Sequence, residues 1–473
     1  MNERWMAGWQ ARLALAAVLV CSALPLAAQT GPITTQSLFF NQATNSHQGN
    51  YLEAQAGLIY TDNVSLTPDG RSDTLAMIGL VGDTSRQDAP RFDYHLDADI
   101  AMVKYFKNEY ETLPYGYLDA AGEFKIVPGY LSWVARDSFN QATLDPFLPA
   151  TPDNLENINY FTTGPRLTLR PTLRTTIIIE GTVSWVDTNS KSIDYINIDN
   201  RRSGGSGKIE RAFSNTLSAY VGASYSDVKF KDKVNNTDFD GWTYVGGFHF
   251  GDSRTYLDAS GGYTDLDVGS ERASGVNWEV SLSRLISPMQ RITLRTLKQF
   301  TDAANLFRIN LDQPVPGNQP NQIVTGQPFS HEEYGANYRL QGQRTSLEIN
   351  LGAFTEHYEE SPDLNRDARY ISAFVSRKMS LVMSLDLGVN YEHDEYAVGG
   401  AVHTINVLAS LRWQLGPRVA LRFIAAHSSL SSSDAQENQI GVTASYALSQ
   451  AAQAPDLGLP AMRPTSPAMQ PRL

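Results

Sequence analysis

The sequence predicts an all-β protein, a transmembrane antiparallel up-and-down β-barrel of about twenty strands, with eighteen as the alternative count. Three observations lead there. Apolar and polar residues alternate one for one through most of the chain, the connections between alternating arms are short and long by turns, and charged residues recur in mid-arm on the polar side. The pattern is plainest from 380 to 450. Leu381, Met383, Leu385, Leu387, Val389 and Tyr391 alternate with Val382, Ser384, Asp386, Gly388 and Asn390. After a loop, Ile405, Val407, Ala409, Leu411, Trp413 and Leu415 alternate with Asn406, Leu408, Ser410, Arg412 and Gln414. A strand sends successive side chains to opposite faces, so each arm is apolar on one side and mostly polar on the other. Lipid outside and water inside ask for that composition.

The elements follow in order along 473 residues. Residues 1–28 read as a secretory signal peptide. Arg4 and Arg12 supply its basic end, Leu13 to Leu26 its apolar run, and Leu26-Ala27-Ala28 a small-residue cleavage site before Gln29. Residues 29–50 are polar and aperiodic, and read as a periplasmic lead-in. The outer-membrane barrel is expected over 51–448. Its first arms are 52–60, 74–81 and the acidic 92–102. Further arms are expected at 115–126, 130–142, 157–169, 174–185, 204–212, 215–228, 240–250, 256–266, 276–286 and 291–300. After a long loop, 307–330, the pattern resumes at 332–340, 347–356 and 368–376, and four last arms end at Leu448. Residues 449–473 are rich in Pro and Ala and read as a disordered tail. Beyond the N-terminal segment no run approaches the roughly 20 apolar residues a spanning helix needs.

The turns set the orientation. Val127-Pro128-Gly129, Gly251-Asp252-Ser253-Arg254, Ser287-Pro288-Met289-Gln290 and Leu415-Gly416-Pro417-Arg418 are short, whereas 144–156, 187–204, 231–239 and 307–330 are longer and more polar. Short turns belong in the periplasm and long loops outside, so an even strand count leaves both ends periplasmic. Aromatic residues near arm ends, Tyr60, Tyr105, Trp185, Tyr263, Tyr391, Trp413 and Tyr446, are candidates for interfacial girdles.

The formal charge is −12. Neutralising phosphates needs a basic surface, so no nucleic-acid partner is expected. The single cysteine, Cys21, falls in the signal segment, and a mature chain would form no disulfide. Nothing calls for a cofactor or a metal.

Setting the polar face inward gives fifteen candidates for the lumen wall: Asp93, His95, Asp97, Asp99, Arg166, Glu180, Tyr220, Tyr256, Asp258, Glu279, Arg295, Glu348, Asp386, Arg412 and Arg422. Charges at membrane depth must face water or one another, which implies a hydrated or ion-paired interior. Tyrosine faces stack on sugars while carboxylates and guanidiniums bond hydroxyls, so the wall suits carbohydrate; mixed charges that merely lock a closed barrel are the alternative. Asp93, His95, Asp97 and Asp99 on one face offer cation-binding groups, but a hydrated wall paired with basic neighbours is the simpler account. The runs Glu356-His357-Tyr358-Glu359-Glu360 and Glu392-His393-Asp394-Glu395-Tyr396 are oxygen-rich, yet lack the spacing of a known metal loop. His427 and Ser429, two apart on the outward face, share the spacing of the His-x-Ser pair of outer-membrane phospholipases, with Asn438 available as an orienting group. A polar strand end entering the Ser-rich stretch 428–433 explains them more simply, and no catalytic residue is expected.

The opening arm and loop, Tyr51-Leu52-Glu53-Ala54-Gln55-Ala56-Gly57-Leu58-Ile59-Tyr60-Thr61-Asp62-Asn63-Val64-Ser65-Leu66-Thr67-Pro68, resembles the start of outer-membrane β-barrels encoded beside exopolysaccharide operons. In that family a Tyr-x-Asp-Asn segment follows the first strand. The general architecture covers 51 to 448, the specific motif only these opening residues. The resemblance implies a porin-like barrel that carries secreted exopolysaccharide across the outer membrane of a Gram-negative bacterium, working with periplasmic polysaccharide export proteins. It brings no catalytic residues. The last arm, Ile440, Val442, Ala444, Tyr446 and Leu448, is similar to the terminal strand read by the outer-membrane barrel assembly machinery, although the chain runs on past it. The expected partners are outer-membrane lipid and lipopolysaccharide, that machinery, the export proteins and the polysaccharide. A passive porin for small solutes is the second reading, and a barrel lipid esterase dependent on Ser429 the third.

Overall fold

The computed structural model describes residues 51–86, 89–107, 109–145, 147–148, 151–190, 197–305, 325–359, 361–433 and 435–448. The expected signal peptide (1–28), lead-in (29–50) and tail (449–473) lie outside the described residues, as does most of the loop 307–330.

Twenty strands form one antiparallel sheet that closes on itself. They are β1 (Tyr51–Thr61), β2 (Asp73–Arg86), β3 (Phe92–Tyr105), β4 (Leu113–Val127), β5 (Leu131–Thr143), β6 (Leu155–Thr172), β7 (Thr175–Ser190), β8 (Asn200–Ala212), β9 (Leu217–Phe230) and β10 (Phe239–Gly251). There follow β11 (Thr255–Val268), β12 (Glu271–Ser287), β13 (Gln290–Thr301), β14 (Phe329–Gln341), β15 (Thr345–His357), β16 (Arg366–Lys378), β17 (Met383–Tyr396), β18 (Gly400–Gln414), β19 (Val419–Leu430) and β20 (Ala435–Ala447). Each pairs with the next, and β20 returns to β1 with Thr61 opposite Gln439 and Glu53 opposite Ala447. Closure satisfies every strand edge, which a sheet in hydrocarbon requires. Among the described residues no helix is long and apolar enough to cross a membrane.

The alternation sorts the two faces. Leu58, Ile78, Leu80, Val221, Val276, Ile371, Leu387, Val407 and Ile440 point outward and are exposed, while Gln55, Asp99, Arg136, Glu180, Glu348, Asn390 and Arg422 point inward and are buried. A water-soluble protein does the reverse. An apolar exterior over a charged interior is stable when the surrounding solvent is lipid, and places the chain in the outer membrane. Exposed aromatics ring both ends: Tyr60, Trp242, Tyr244, Tyr263, Tyr334 and Tyr391 on one side, Phe124, Tyr130, Trp133, Phe248, Trp413 and Tyr446 on the other. Tyr105, expected in a girdle, is instead inward. It has the parity of Asp99 and Val103, is 2% exposed, and bonds Tyr115 hydroxyl to hydroxyl at 2.8 Å.

Connections after even-numbered strands are short, such as 128–130, 173–174, 252–254 and 288–289. Those after odd-numbered strands include the long 62–72, 144–154 and 302–328, though 269–270 and 397–399 are tight. Asp252 builds one short turn by accepting the backbone N–H groups of Arg254 and Thr255 at 2.7 and 2.6 Å, bonds that hold its carboxyl below the usual range. Half of the expected loop 187–204 is strand: β7 runs to Ser190 and β8 starts at Asn200. Asn200, Arg201, Arg202 and Ser203 lack apolar alternation because this hairpin end is polar on both faces. Gly116 has φ +123, and a Cβ there would collide with the carbonyl of Asp99, so only glycine lets β4 approach β3 at that point.

Candidate functional site

The inner wall is knitted by ion pairs, most between adjacent strands and two, Arg166 to Glu123 and Arg412 to Glu53, reaching across intervening strands. Asp93 takes Lys125 at 2.6 Å, Arg166 reaches Glu180 and lies 3.5 Å from Glu123, and Arg295 lies 3.4 Å from Glu279 and 3.7 Å from Glu333. Glu348 bonds Arg339 at 2.8 Å, and Arg412 bonds Glu53 at 2.9 Å. Asp258 lies 2.9 Å from His249, whose ring stacks on Tyr220 with centroids 5.0 Å apart. Lys208 Nζ sits over the same Tyr220 ring, 5.1 Å from its centroid. Asp386 accepts a bond from Ser410 at 3.3 Å, Arg422 stands opposite Arg412 in register, and Tyr256 stands opposite Ser283. Every one of the fifteen candidates thus has the inward parity. The alternation did not identify their partners Glu53, Lys125, Glu123 and Arg339, because pairing depends on register.

The acidic arm shows the same face at higher charge. Asp83 stands opposite Asp97, and Asp97 opposite Asp119. Asp119 is neutralised by Arg136 through two bonds of 2.8 and 2.9 Å, while Asp97 accepts the Tyr117 hydroxyl at 3.1 Å. His95 lies 3.8 Å from Asp83, and Asp99 is 2% exposed. Among the described residues no group of three or more His, Cys, Asp or Glu side chains converges closely enough to hold a metal ion.

Across the barrel, uncharged groups form a ladder that the sequence reading missed. Asn337, Asn350, Ser372, Asn390, Asn406 and Ser428 are successive register partners on β14 to β19. Asn337 Nδ2 donates to Asn350 Oδ1 at 2.6 Å, Asn350 Nδ2 to Ser372 Oγ at 3.1 Å, and Ser428 Oγ to Asn406 Oδ1 at 2.6 Å. Asn390 is 3% exposed, and neither its amide nitrogen nor its amide oxygen has a hydrogen-bond partner. Its signal in the sequence is one asparagine or serine on the polar face of each of these strands, legible only once the register is known.

Two further assemblies close in on the outer part of the lumen. After β13 the chain turns inward at Asp302, whose carboxylate takes the Arg202 guanidinium of β8 through bonds of 2.7 and 2.8 Å. Ala304 packs with Ala142, Ile158, Tyr160 and Val186 of β5 to β7. Between this turn and the wall lies a recess of about 100 Å³ lined by Arg136, Tyr160, Arg166, Glu180 and Arg202, wide enough for several waters. On β15 to β17, Arg366 lies 3.5 Å from Glu356 and 3.8 Å from Asp394, with the faces of Phe354 and Tyr396 4.6 and 5.8 Å away. The two oxygen-rich runs at these strand ends therefore divide by parity. Glu356, Glu392 and Asp394 face inward and are buried, whereas Glu395 and His357 are exposed.

His427 and Ser429 lie within β19, not in a loop, and on the outward face. His427 Nδ1 is 3.0 Å from Asn438 Oδ1 on β20. Asp62, of the Tyr60-Thr61-Asp62-Asn63 segment, accepts the Asn438 backbone N–H at 2.7 Å and Nδ2 at 2.8 Å. Asn63 donates to the Gln436 carbonyl at 2.8 Å, and Thr61 to Glu437 at 2.5 Å. The opening segment is thus the seam where β1 meets β20.

No protein-family model and no curated protein matches the chain. Among solved structures it is similar to the siderophore receptor PirA from Pseudomonas aeruginosa, at 9% identity and TM-score 0.44, covering 85% of this chain and 81% of that one. It is similar at 8% identity and TM-score 0.44 to the ferric citrate transporter FecA, covering 85% and 80%. The copper transporter OprC superposes at 10% identity and TM-score 0.43, covering 88% and 85%. Similarity at this level assigns no cargo to the chain, an outer-membrane β-barrel of twenty antiparallel strands.

Proposed function

We propose that the protein is an outer-membrane conduit for a secreted, hydroxyl-rich polymer, an exopolysaccharide. The observation that carries this reading is the amide and hydroxyl ladder from Asn337 to Ser428, with the unpartnered amide of Asn390 within it. Amides donate and accept as sugar hydroxyls do, so the ladder presents the bond types that a hydroxyl-rich polymer uses. Tyr256 adds a ring face of the kind that stacks on sugars. The resemblance of the opening residues supports the same reading. The test is deletion of the gene in its native host, with cell-surface, released and periplasmic polymer measured. Loss from the surface with accumulation in the periplasm is expected, and unchanged surface polymer overturns the reading. A complementing Asn350→Leu, Asn390→Leu double variant should reach the membrane in normal amount and restore export poorly.

The inward turn at Asp302 favours a second reading, a passive porin, because residues 302–304 laid against β5 to β8 narrow the path to small solutes. Conductance of ions and small sugars in planar bilayers, together with normal export in the deletion strain, would select it.

A further inference from the structure

We propose that the outer rim of the barrel carries an ester-hydrolysing site built from Ser429, His427 and Asn438, directed at acyl esters of outer-leaflet lipid. The site is on the outside of the wall and is independent of what passes through the lumen.

The hydrogen-bond network fixes the chemistry of each group. The Asp62 carboxylate only accepts, so the side of the Asn438 amide that faces it must be Nδ2, at 2.8 Å; the backbone N–H of Asn438 on the same carboxylate holds the residue in place. Oδ1 then points the other way, to His427 Nδ1 at 3.0 Å, and as an acceptor it requires the proton on Nδ1. The remaining nitrogen, Nε2, carries the lone pair. That is the tautomer a general base needs, held by an orienting group that is itself held. Ser429 lies two residues along the same strand and face, roughly 7 Å away along the backbone, a gap an imidazole and a serine side chain close between them. Its hydroxyl has no side-chain partner. Catalytic bonds of this kind tighten when substrate binds.

Position supplies the substrate. His427 stands between Val407 and Asn438, and Ser429 between Ile405 and Gln436. Next along the barrel surface are the exposed Ile405, Val407, Ile440 and Tyr60. Polar reactive groups at the margin of the apolar band meet lipid where its ester carbonyls lie, at the junction of acyl chain and headgroup.

In the reaction Ser429 Oγ attacks the ester carbonyl carbon as its proton passes to His427 Nε2. The tetrahedral intermediate expels the lipid alcohol, which takes that proton, and leaves an acyl-serine. Water then adds to the acyl carbonyl, gives a proton to Nε2, and the fatty acid departs as the proton returns to Oγ. One water is consumed and no other reactant is needed.

The test uses the full chain purified in detergent, in two arms: mixed micelles of phosphatidylethanolamine, and micelles of lipopolysaccharide. Fatty-acid release is measured beside labelling by a serine-reactive fluorophosphonate. Wild type should release fatty acid in at least one arm and be labelled. Ser429→Ala should lose labelling and at least about 100-fold of the release, with its heat-induced gel shift unchanged. His427→Ala should lose as much release, and Asn438→Ala less. If Asp62, Asn438 and His427 serve only to join the strands, their variants will change the melting of the barrel and nothing else. Absence of release in both arms, absence of label, or either signal surviving Ser429→Ala overturns the proposal.

Discussion

Arg366 has no exposed side-chain surface, and its guanidinium is the positive charge that Glu356 and Asp394 share. Removing one partner of a buried ion cluster leaves the others desolvated and uncompensated, at a cost of about 3–5 kcal/mol. Arg366→Met should therefore lower the urea midpoint of the detergent-folded barrel markedly. Adding Glu356→Gln and Asp394→Asn should recover most of the loss, since the uncompensated charges go as well. A single variant as stable as wild type would show that lumen water, and not Arg366, solvates the two carboxylates. At this scale the sequence was half legible. Strand parity placed Asp93, Glu180, Arg295 and Arg422 on the inward face, because a period of two needs no partner to be read. It could not show that Arg366 would meet Glu356 and Asp394, nor that Asn438 would be gripped by Asp62, because these contacts depend on register between strands up to 376 residues apart.

Strands β1 and β20 show what the element scale adds. In water-filled or lipid-bathed sheets a seam between the first and last strands is the one pairing that chain connectivity does not help. Here it carries side-chain bonds beyond the ladder: Asp62 to Asn438, Asn63 to the Gln436 carbonyl and Thr61 to Glu437. Hydrogen bonds to a charged group contribute about 1.5–3 kcal/mol each, so Asp62→Ala should weaken this end of the seam. Faster amide exchange in β1 and β20, with β5 to β10 unaffected, is the expected result; uniform exchange across the barrel would mean the seam is no weaker than any other pair. Strand existence was legible almost throughout, since the central arms alternate cleanly. Ends were not. β7 and β8 continue through Asn189 and Arg202 because beyond the membrane both faces of a hairpin meet water, and alternation, the only signal, disappears there.

Among the described residues the barrel has more carboxylates than guanidiniums and ammoniums on its inward face, with Asp83, Asp97 and Asp99 gathered on β2 and β3 and Arg136 bonded to Asp119. A lumen with that balance attracts cations and repels anions. In a bilayer with a salt gradient the reversal potential should indicate cation preference. Anion preference would show that the arginines, not the aspartates, dominate the field. The same field favours an uncharged polymer over an acidic one.

The seam at Asp62 also bears on how the molecule is made. Its two halves lie 376 residues apart, so β1 emerges from synthesis long before the strand that completes it. Throughout that interval the nascent sheet has two bare edges, each a template for pairing with the wrong neighbour, and loop-closure entropy delays the right one. Asp62, Asn63 and Thr61 each form a bond to residues 436–438 that no earlier part of the chain can make for them. A chain truncated before β20 would therefore be held as an open sheet by whatever chaperone guards its edges, and be degraded rather than inserted.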